Sequence, residues 1–155
     1  METIILTGAA GGLGKAFANA CAARGWTLVM TDINEDALSK AAAGVRKQHG
    51  TEVRAIPCDM TQAQQRAHFW ESMRQAEIRV GMLINVAGID FEGEVREVAP
   101  ESLILLLRLN IEAAVDNMRR VLALQTPGQP LHILNTSSLA SFQPMPIKAA
   151  YAASK

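Results

Sequence analysis

The strongest constraint on how this chain can fold is an alternation that runs through its whole length: short apolar runs of strand length are separated by segments with helical spacing. Strands are expected over residues 3–7, 27–31, 53–57, 80–86 and 131–136. Helices are expected over residues 13–24, 35–48, 62–77 and 100–125, and a last one begins at 147 and reaches Lys155. Runs such as Ile4-Ile5-Leu6 and Met82-Leu83-Ile84 are apolar at successive positions, so both faces of those strands must be covered. A parallel sheet with helices on each side satisfies this, and right-handed crossovers make the expected strand order 3-2-1-4-5. The expected fold class is therefore α/β, a doubly wound parallel sheet that binds its ligand beyond the carboxyl ends of the first and fourth strands.

Composition narrows the partners. At 155 residues and 49% hydrophobic, one domain can bury a core without help from metals or disulfides. Fifteen basic and fifteen acidic side chains cancel and no basic run stands out, so no nucleic-acid partner is expected. Cys21 and Cys58 are too few and too far apart for a disulfide framework or a zinc site and are expected to be buried, inert thiols. His49, His68 and His132 lack ligand spacing, and no metal is assigned. Residues 1–7 enter a strand pattern directly, and no apolar stretch approaches membrane-span length, so a soluble cytoplasmic protein without a membrane partner is expected.

The first expected strand runs straight into Thr7-Gly8-Ala9-Ala10-Gly11-Gly12-Leu13-Gly14. Glycine permits positive φ and close approach of backbone to a pyrophosphate, and the unpaired N–H groups at the following helix start form an anion site. The spacing is GxxxGxG rather than GxGxxG, and such a cluster is also compatible with a simple tight turn. Asp32 ends the second strand about twenty residues beyond the glycines, where a carboxylate accepts hydrogen bonds from adenosine ribose hydroxyls and repels a 2′-phosphate. NAD is therefore expected in preference to NADP; the competing use of Asp32 is to cap the helix beginning near Asn34. Asp59, in Ile56-Pro57-Cys58-Asp59-Met60, suits either the adenine amino group or a helix cap.

Near the end of the sequence, Asn135-Thr136-Ser137-Ser138 is followed by Tyr151-Ala152-Ala153-Ser154-Lys155. A spacing of four puts Tyr151 and Lys155 on one helix face, so that an ammonium sits beside a phenol, which a tyrosine acting as a base near neutral pH requires. Ser138 adds a hydroxyl for an oxygen that gains or loses charge. A tyrosine and a lysine on the surface of an amphipathic helix would show the same spacing.

Taken together, the glycine turn, Asn85-Val86-Ala87-Gly88, Asn110, Ser138, Tyr151 and Lys155 resemble, in order and approximate spacing, the short-chain dehydrogenase/reductase family, whose fold is of the Rossmann type. The resemblance covers essentially the whole chain and implies that Ser138 orients the substrate, Tyr151 is the general acid/base, Lys155 assists it and holds the nicotinamide ribose, and Asn110 supports a proton-relay water. It also implies cofactor contacts from Gly8, Gly12, Leu13, Gly14, Asp32, Asp59, Met60, Asn85, Ala87 and Gly88, together with Tyr151 and Lys155. Val86 replaces the second asparagine of the family's NNAG segment, a mild departure. Asn110 has a competing use as a buried amide satisfied by backbone.

The activity implied is hydride transfer between a nicotinamide cofactor and a secondary alcohol or ketone, in a homo-oligomer formed through the long 100–125 helix and the tyrosine helix. Family members continue for about another hundred residues, in keeping with single α/β domains of more than average size. The chain is therefore expected to be the front portion of such a fold, with the fifth strand's outer edge unpaired. The alternatives are a dinucleotide-binding module that turns over nothing and, more distantly, a sugar-nucleotide epimerase, whose glycine turn is typically GxxGxxG. Leu139, Phe142, Met145 and Ile147 are expected either to wall the substrate pocket or to pack as core.

Overall fold

A computed structural model of the chain describes residues 3–155. Five parallel strands, β1 (Thr3–Thr7), β2 (Thr27–Thr31), β3 (Val53–Ala55), β4 (Val80–Asn85) and β5 (His132–Asn135), form one sheet in the order β3-β2-β1-β4-β5. This is the expected doubly wound order, with the topological switch between β1 and β4. Because strand side chains alternate between faces, β1 divides the core in two. Ile4 and Leu6 pack with Leu28, Met30 and the inner faces of α1 (Gly12–Ala22) and α2 (Glu35–His49). Ile5 packs on the other side with Val29, Leu83 and residues of α3 (Ala63–Gln75) and α5 (Ala114–Val121), among them Phe69, Trp70, Met73 and Val121. Ile5, Leu6 and Leu28 are fully buried, each contributing about 1.5–3 kcal/mol.

Local chemistry sets the ends of these elements. The side chain of Asn34 caps α2 by accepting from the Ala37 N–H at 3.0 Å. Glu35 and Asp36 in the first turn, and Arg46, Lys47 and His49 in the last, oppose the helix dipole. Gly50 then stops the helix in the left-handed conformation, φ 65°. β3 is two residues shorter than expected: the Ile56 and Cys58 N–H groups still donate to Met30 and Asp32 carbonyls of β2 and its extension, but Pro57 between them has no N–H to give.

The expected 100–125 helix departs most from its sequence pattern. It is α4 (Pro100–Leu107), a π-helical turn (Arg108–Ala113), α5 and a short 3-10 turn (Leu122–Leu124) in one continuous run. Asn110 lies within the π turn. The last helix, α6, spans Ala149–Ser154 rather than starting at residue 147, because Ile147 holds a left-handed φ of 56°, outside any helix. Among the described residues β5 pairs with β4 only, and Ile133 on that outer strand is 38% exposed. Cys21 and Cys58 are buried and unbridged, and burial pushes the Cys58 thiol up to about 11.

Candidate active site

The glycine turn at the end of β1 is shaped by backbone packing. Gly8 has φ 64° and lies against the next strand's turn, so that a Cβ there would stand 2.7 Å from the Ala87 nitrogen. A Cβ on Gly14 would be driven into the Gly8 carbonyl oxygen. Gly12, in contrast, faces open space. Gly11 begins α1 without a side-chain cap, and the N–H groups of Gly12, Leu13 and Gly14 find no acceptor among the described residues. Four glycines have thus produced one well-packed loop that leaves unpaired donors at the start of α1, an arrangement suited to an anion.

Asp32 braces this loop from β2. One carboxylate oxygen accepts from the Ala10 N–H at 2.9 Å and the other from the Asn34 N–H at 3.0 Å. The cap of α2 is Asn34, so the capping role set against Asp32 falls to its neighbour. Asp59 makes a local turn instead: its Oδ1 accepts from the backbone N–H and the hydroxyl of Thr61, at 2.9 and 2.7 Å. Gly8, Asp32, Asp59, Met60, Ala87 and Gly88 all line one cavity of about 400 Å³, together with the apolar side chains of Leu105 and Leu109.

Two features behind this cavity had no signal in the sequence. The Thr7 hydroxyl accepts from both Val86 and Ala87 N–H groups, at 3.1 and 3.2 Å, and holds the turn after β4 against β1. Asn85, expected to contact a cofactor, turns its amide away from the cavity and into the protein. Its Nδ2 donates to Asn135 Oδ1 at 2.9 Å and its Oδ1 accepts from Asn117 at 3.3 Å. Asn117 in turn accepts from the Trp70 indole N–H at 2.9 Å, which completes a chain of side-chain hydrogen bonds from the buried face of α3 to Asn135 at the exposed end of β5. Nearby, the buried Arg66 guanidinium donates to the Met60 carbonyl at 2.6 Å, to Asp116 at 3.2 Å and to Glu112. It thereby joins the loop lining the cavity to the helix that carries Asn110.

A second cleft, about 210 Å³, is lined by Leu13, Gly88, Ile89, Asp90, Thr136, Ser137, Tyr151 and Lys155. Lys155 lies with its Nζ 6.0 Å from the Tyr151 ring centre and donates to the Thr136 carbonyl at 3.4 Å. Burial draws its pKa below the ordinary lysine range. Ser138 is not among the residues lining this cleft, and its hydroxyl accepts from the Ala140 N–H at 3.2 Å, while Ser137 lines the cleft and donates to the Lys155 carbonyl at 3.1 Å. Asn110 is buried and its amide is fully engaged: Oδ1 accepts from Ile89 N–H, and Nδ2 donates to the Ile89 carbonyl and to Ser154, each at 2.9 Å. This is the backbone-satisfied amide set beside its functional role, and it ties the turn after β4 to α6. Lys148, three residues before Tyr151, bridges Asp90 and Glu92 and was not singled out in the sequence although the spacing could have revealed it.

The model of the short chain dehydrogenase family matches residues 2–155. The chain belongs to this family. A similar relative, the CLA biosynthesis dehydrogenase/reductase of Lactiplantibacillus plantarum, is 31% identical over 156 residues, which cover 99% of this chain and 54% of that protein. Among solved structures, a short-chain dehydrogenase from Sphingobium yanoikuyae in complex with NADPH superposes with a TM-score of 0.92 at 29% identity, covering 100% of this chain and 60% of that one. One from Burkholderia phymatum in complex with NAD gives 0.91 at 27% identity, covering 99% and 54%. This short-chain dehydrogenase chain thus spans little more than half the length of the relatives it matches. No helix among the described residues is long and apolar enough to cross a membrane, and no group of metal-ligating side chains occurs among them.

Proposed function

We propose that this chain forms the nucleotide-binding and acid/base portion of an oxidoreductase that moves hydride between NAD and a secondary alcohol or ketone. The observation that carries the reading is the convergence of Tyr151 and Lys155 on a cleft that shares Gly88 and Ile89 with the larger cavity and takes Leu13 from the glycine turn. The residues present fit a dinucleotide. Gly12 opens onto space that no protein atom fills, unpaired N–H groups begin α1, and Asp32 lines the cavity where a ribose would lie. Each oxygen of Asp32 accepts one backbone N–H and retains lone pairs for ribose hydroxyls, whereas a 2′-phosphate would meet its negative charge. This supports NAD over NADP.

When bound, the nicotinamide supplies or receives the hydride. The residues manage the proton. Tyr151 takes it from the alcohol oxygen or returns it to the ketone oxygen, and Lys155 supplies positive charge beside the phenol. Ser138 keeps its own hydroxyl proton for the substrate oxygen while accepting from Ala140. Asn110, bound to Ile89 and Ser154, holds α6 in register with the cofactor-side turn, and the relay water is assigned to its neighbourhood. Exposed apolar side chains along the long helix, Ile104, Leu107, Ile111 and Val115, support assembly into a homo-oligomer.

Titration with NADH and NADPH, followed by cofactor fluorescence, tests the reading. Saturable NADH binding with weaker NADPH binding is expected, and Asp32→Ala should narrow the preference by about tenfold, the worth of one charge-assisted contact. Tighter binding of NADPH by the wild type would sink the cofactor assignment. Absence of binding to either would sink the dinucleotide site.

A further inference from the structure

The rim of the catalytic cleft carries an ion cluster that the proposed chemistry does not use. Lys148 precedes Tyr151 by three residues, and its Nζ lies 5.8 Å from the Tyr151 ring centre, as near as that of Lys155. It is held by two carboxylates from the segment after β4, Asp90 and Glu92, the latter at 2.6 Å. The Gly93 N–H adds a third tie to the same place, donating to the Ile147 carbonyl at 3.0 Å. Hydrogen bonds that Lys148 donates to Asp90 and then to Glu92 push its pKa above the ordinary range, so it stays charged. Its side chain is 18% exposed. Asp90 itself lines the cleft beside Tyr151. Glu94, on the same segment, pairs with Arg96 and takes no part.

Two carboxylates against one ammonium give the Lys148 cluster a net negative charge at the Asp90 edge of the cleft, across Tyr151 from the charge of Lys155. We infer that Asp90 and Glu92 mask Lys148, so that the site accepts carbonyl compounds that are uncharged beside the reacting carbon and rejects those bearing a carboxylate there. The inference rests on the oxidoreductase reading and specifies its substrate class. It also makes Lys148 a latent anion site: with the carboxylates neutralised, a cation with hydrogen-bonding capacity stands next to the acid/base residue.

Pyruvate and methyl pyruvate differ in this charge while sharing the reacting carbonyl, and Tyr151 is the chain's sole tyrosine, so its ring resonances report on binding without ambiguity. With NADH present, pyruvate affinity should rise by about tenfold or more in Asp90→Asn/Glu92→Gln, the scale of one hydrogen bond to a charged group. Methyl pyruvate affinity should stay unchanged, and adding Lys148→Met should remove the gain. Glu94→Gln, which deletes a negative charge without touching Lys148, should leave pyruvate as in the wild type. An equal gain for acid and ester, no gain for the acid, or the same gain from Glu94→Gln would each overturn the inference. Failure of the oxidoreductase reading has a different signature, namely no NADH binding by the wild type, and the inference would fall with it.

Discussion

The two halves of this sheet are built by different means. From β1 to β3 the structure rests on apolar packing and backbone fit: α2 is capped at both ends, the glycine turn is shaped by its own carbonyls, and Asp32 spans two strands through backbone N–H groups. From β4 to α6 it rests on buried polar side chains. Arg66, reaching in from α3, and Asn85, Asn110, Asn117 and Ser154 are all buried there, and each has a hydrogen-bond partner. The long helix carries a π turn, and Ile147 holds a conformation that a β-branched residue rarely adopts. A cradle for a phosphate needs only backbone in the right place, which apolar packing supplies cheaply. The acid/base role proposed for Tyr151 and Lys155 would require charged and polar atoms placed to within fractions of an ångström, and the surroundings of these residues are themselves polar.

The contrast can be broken most forcefully in the first half. Gly14→Ala drives a methyl group into the backbone of Gly8 and Ala9, neither of which can yield without moving β1. A loss of about 3 kcal/mol or more in urea unfolding is expected. Gly12→Ala, two residues away, meets nothing, and should leave stability within about 0.5 kcal/mol while weakening NADH binding. Equal stabilities for the two variants would show that the turn is not set by backbone fit.

In the second half, Arg66→Met leaves Asp116 and Glu112 without their buried partner and should cost about 3 kcal/mol. Its pH dependence sharpens the case. Burial by itself would raise the Asp116 pKa, but hydrogen bonds from Arg120, Arg66 and Arg119 outweigh burial and hold it below the ordinary carboxylate range. The stability gained from the ionised carboxylate is complete above the ordinary pKa, and it is lost as pH falls through the depressed folded value, below about pH 4. Removing Arg66 should shrink that acid-side loss, which unfolding curves measured across the acid range would reveal; an unaltered acid limb would remove Arg66 from the network. The smallest effect expected is from Ile147→Gly. Relief of the left-handed strain, offset by the entropy of the added glycine, should raise stability by about 0.5–1 kcal/mol, and a drop would mean that the Ile147 side chain packs usefully despite its 49% exposure.

What could be read from the sequence follows the same division. Apolar runs and turn residues are local signals, and they delivered the strand order and the glycine turn, together with the places of Asp32 just past β2, Tyr151 on α6 and Lys155 at its end. The π turn was invisible because its residues keep the apolar spacing of an ordinary helix while the hydrogen bonding shifts around Asn110. The partners of Asn85 were equally hidden, since Asn117 and Asn135 lie 32 and 50 residues away and nothing in either segment announces the pairing. Arg66 reads locally as one more charged position on a polar helix, and its burial depends on Glu112 and Asp116 arriving from another element. Lys148, three residues before Tyr151, was within reach of the same one-face argument that identified Lys155 four residues after it, but its meaning depends on the carboxylates of a loop almost sixty residues earlier.

The indole of Trp70, held inside the protein by Asn117, also gives the molecule an optical gauge of its own condition. The other tryptophan, Trp26, is 36% exposed and reports mainly on solvent. Emission from Trp70 samples the amide chain that ends beside Thr136, so slackening at the β4–β5 end of the sheet should register as a red shift and easier quenching before the fold as a whole gives way. The chain therefore offers an unlabelled, continuous readout of whether the β4–β5 end of the sheet is assembled, separate from whether the β1–β3 end is.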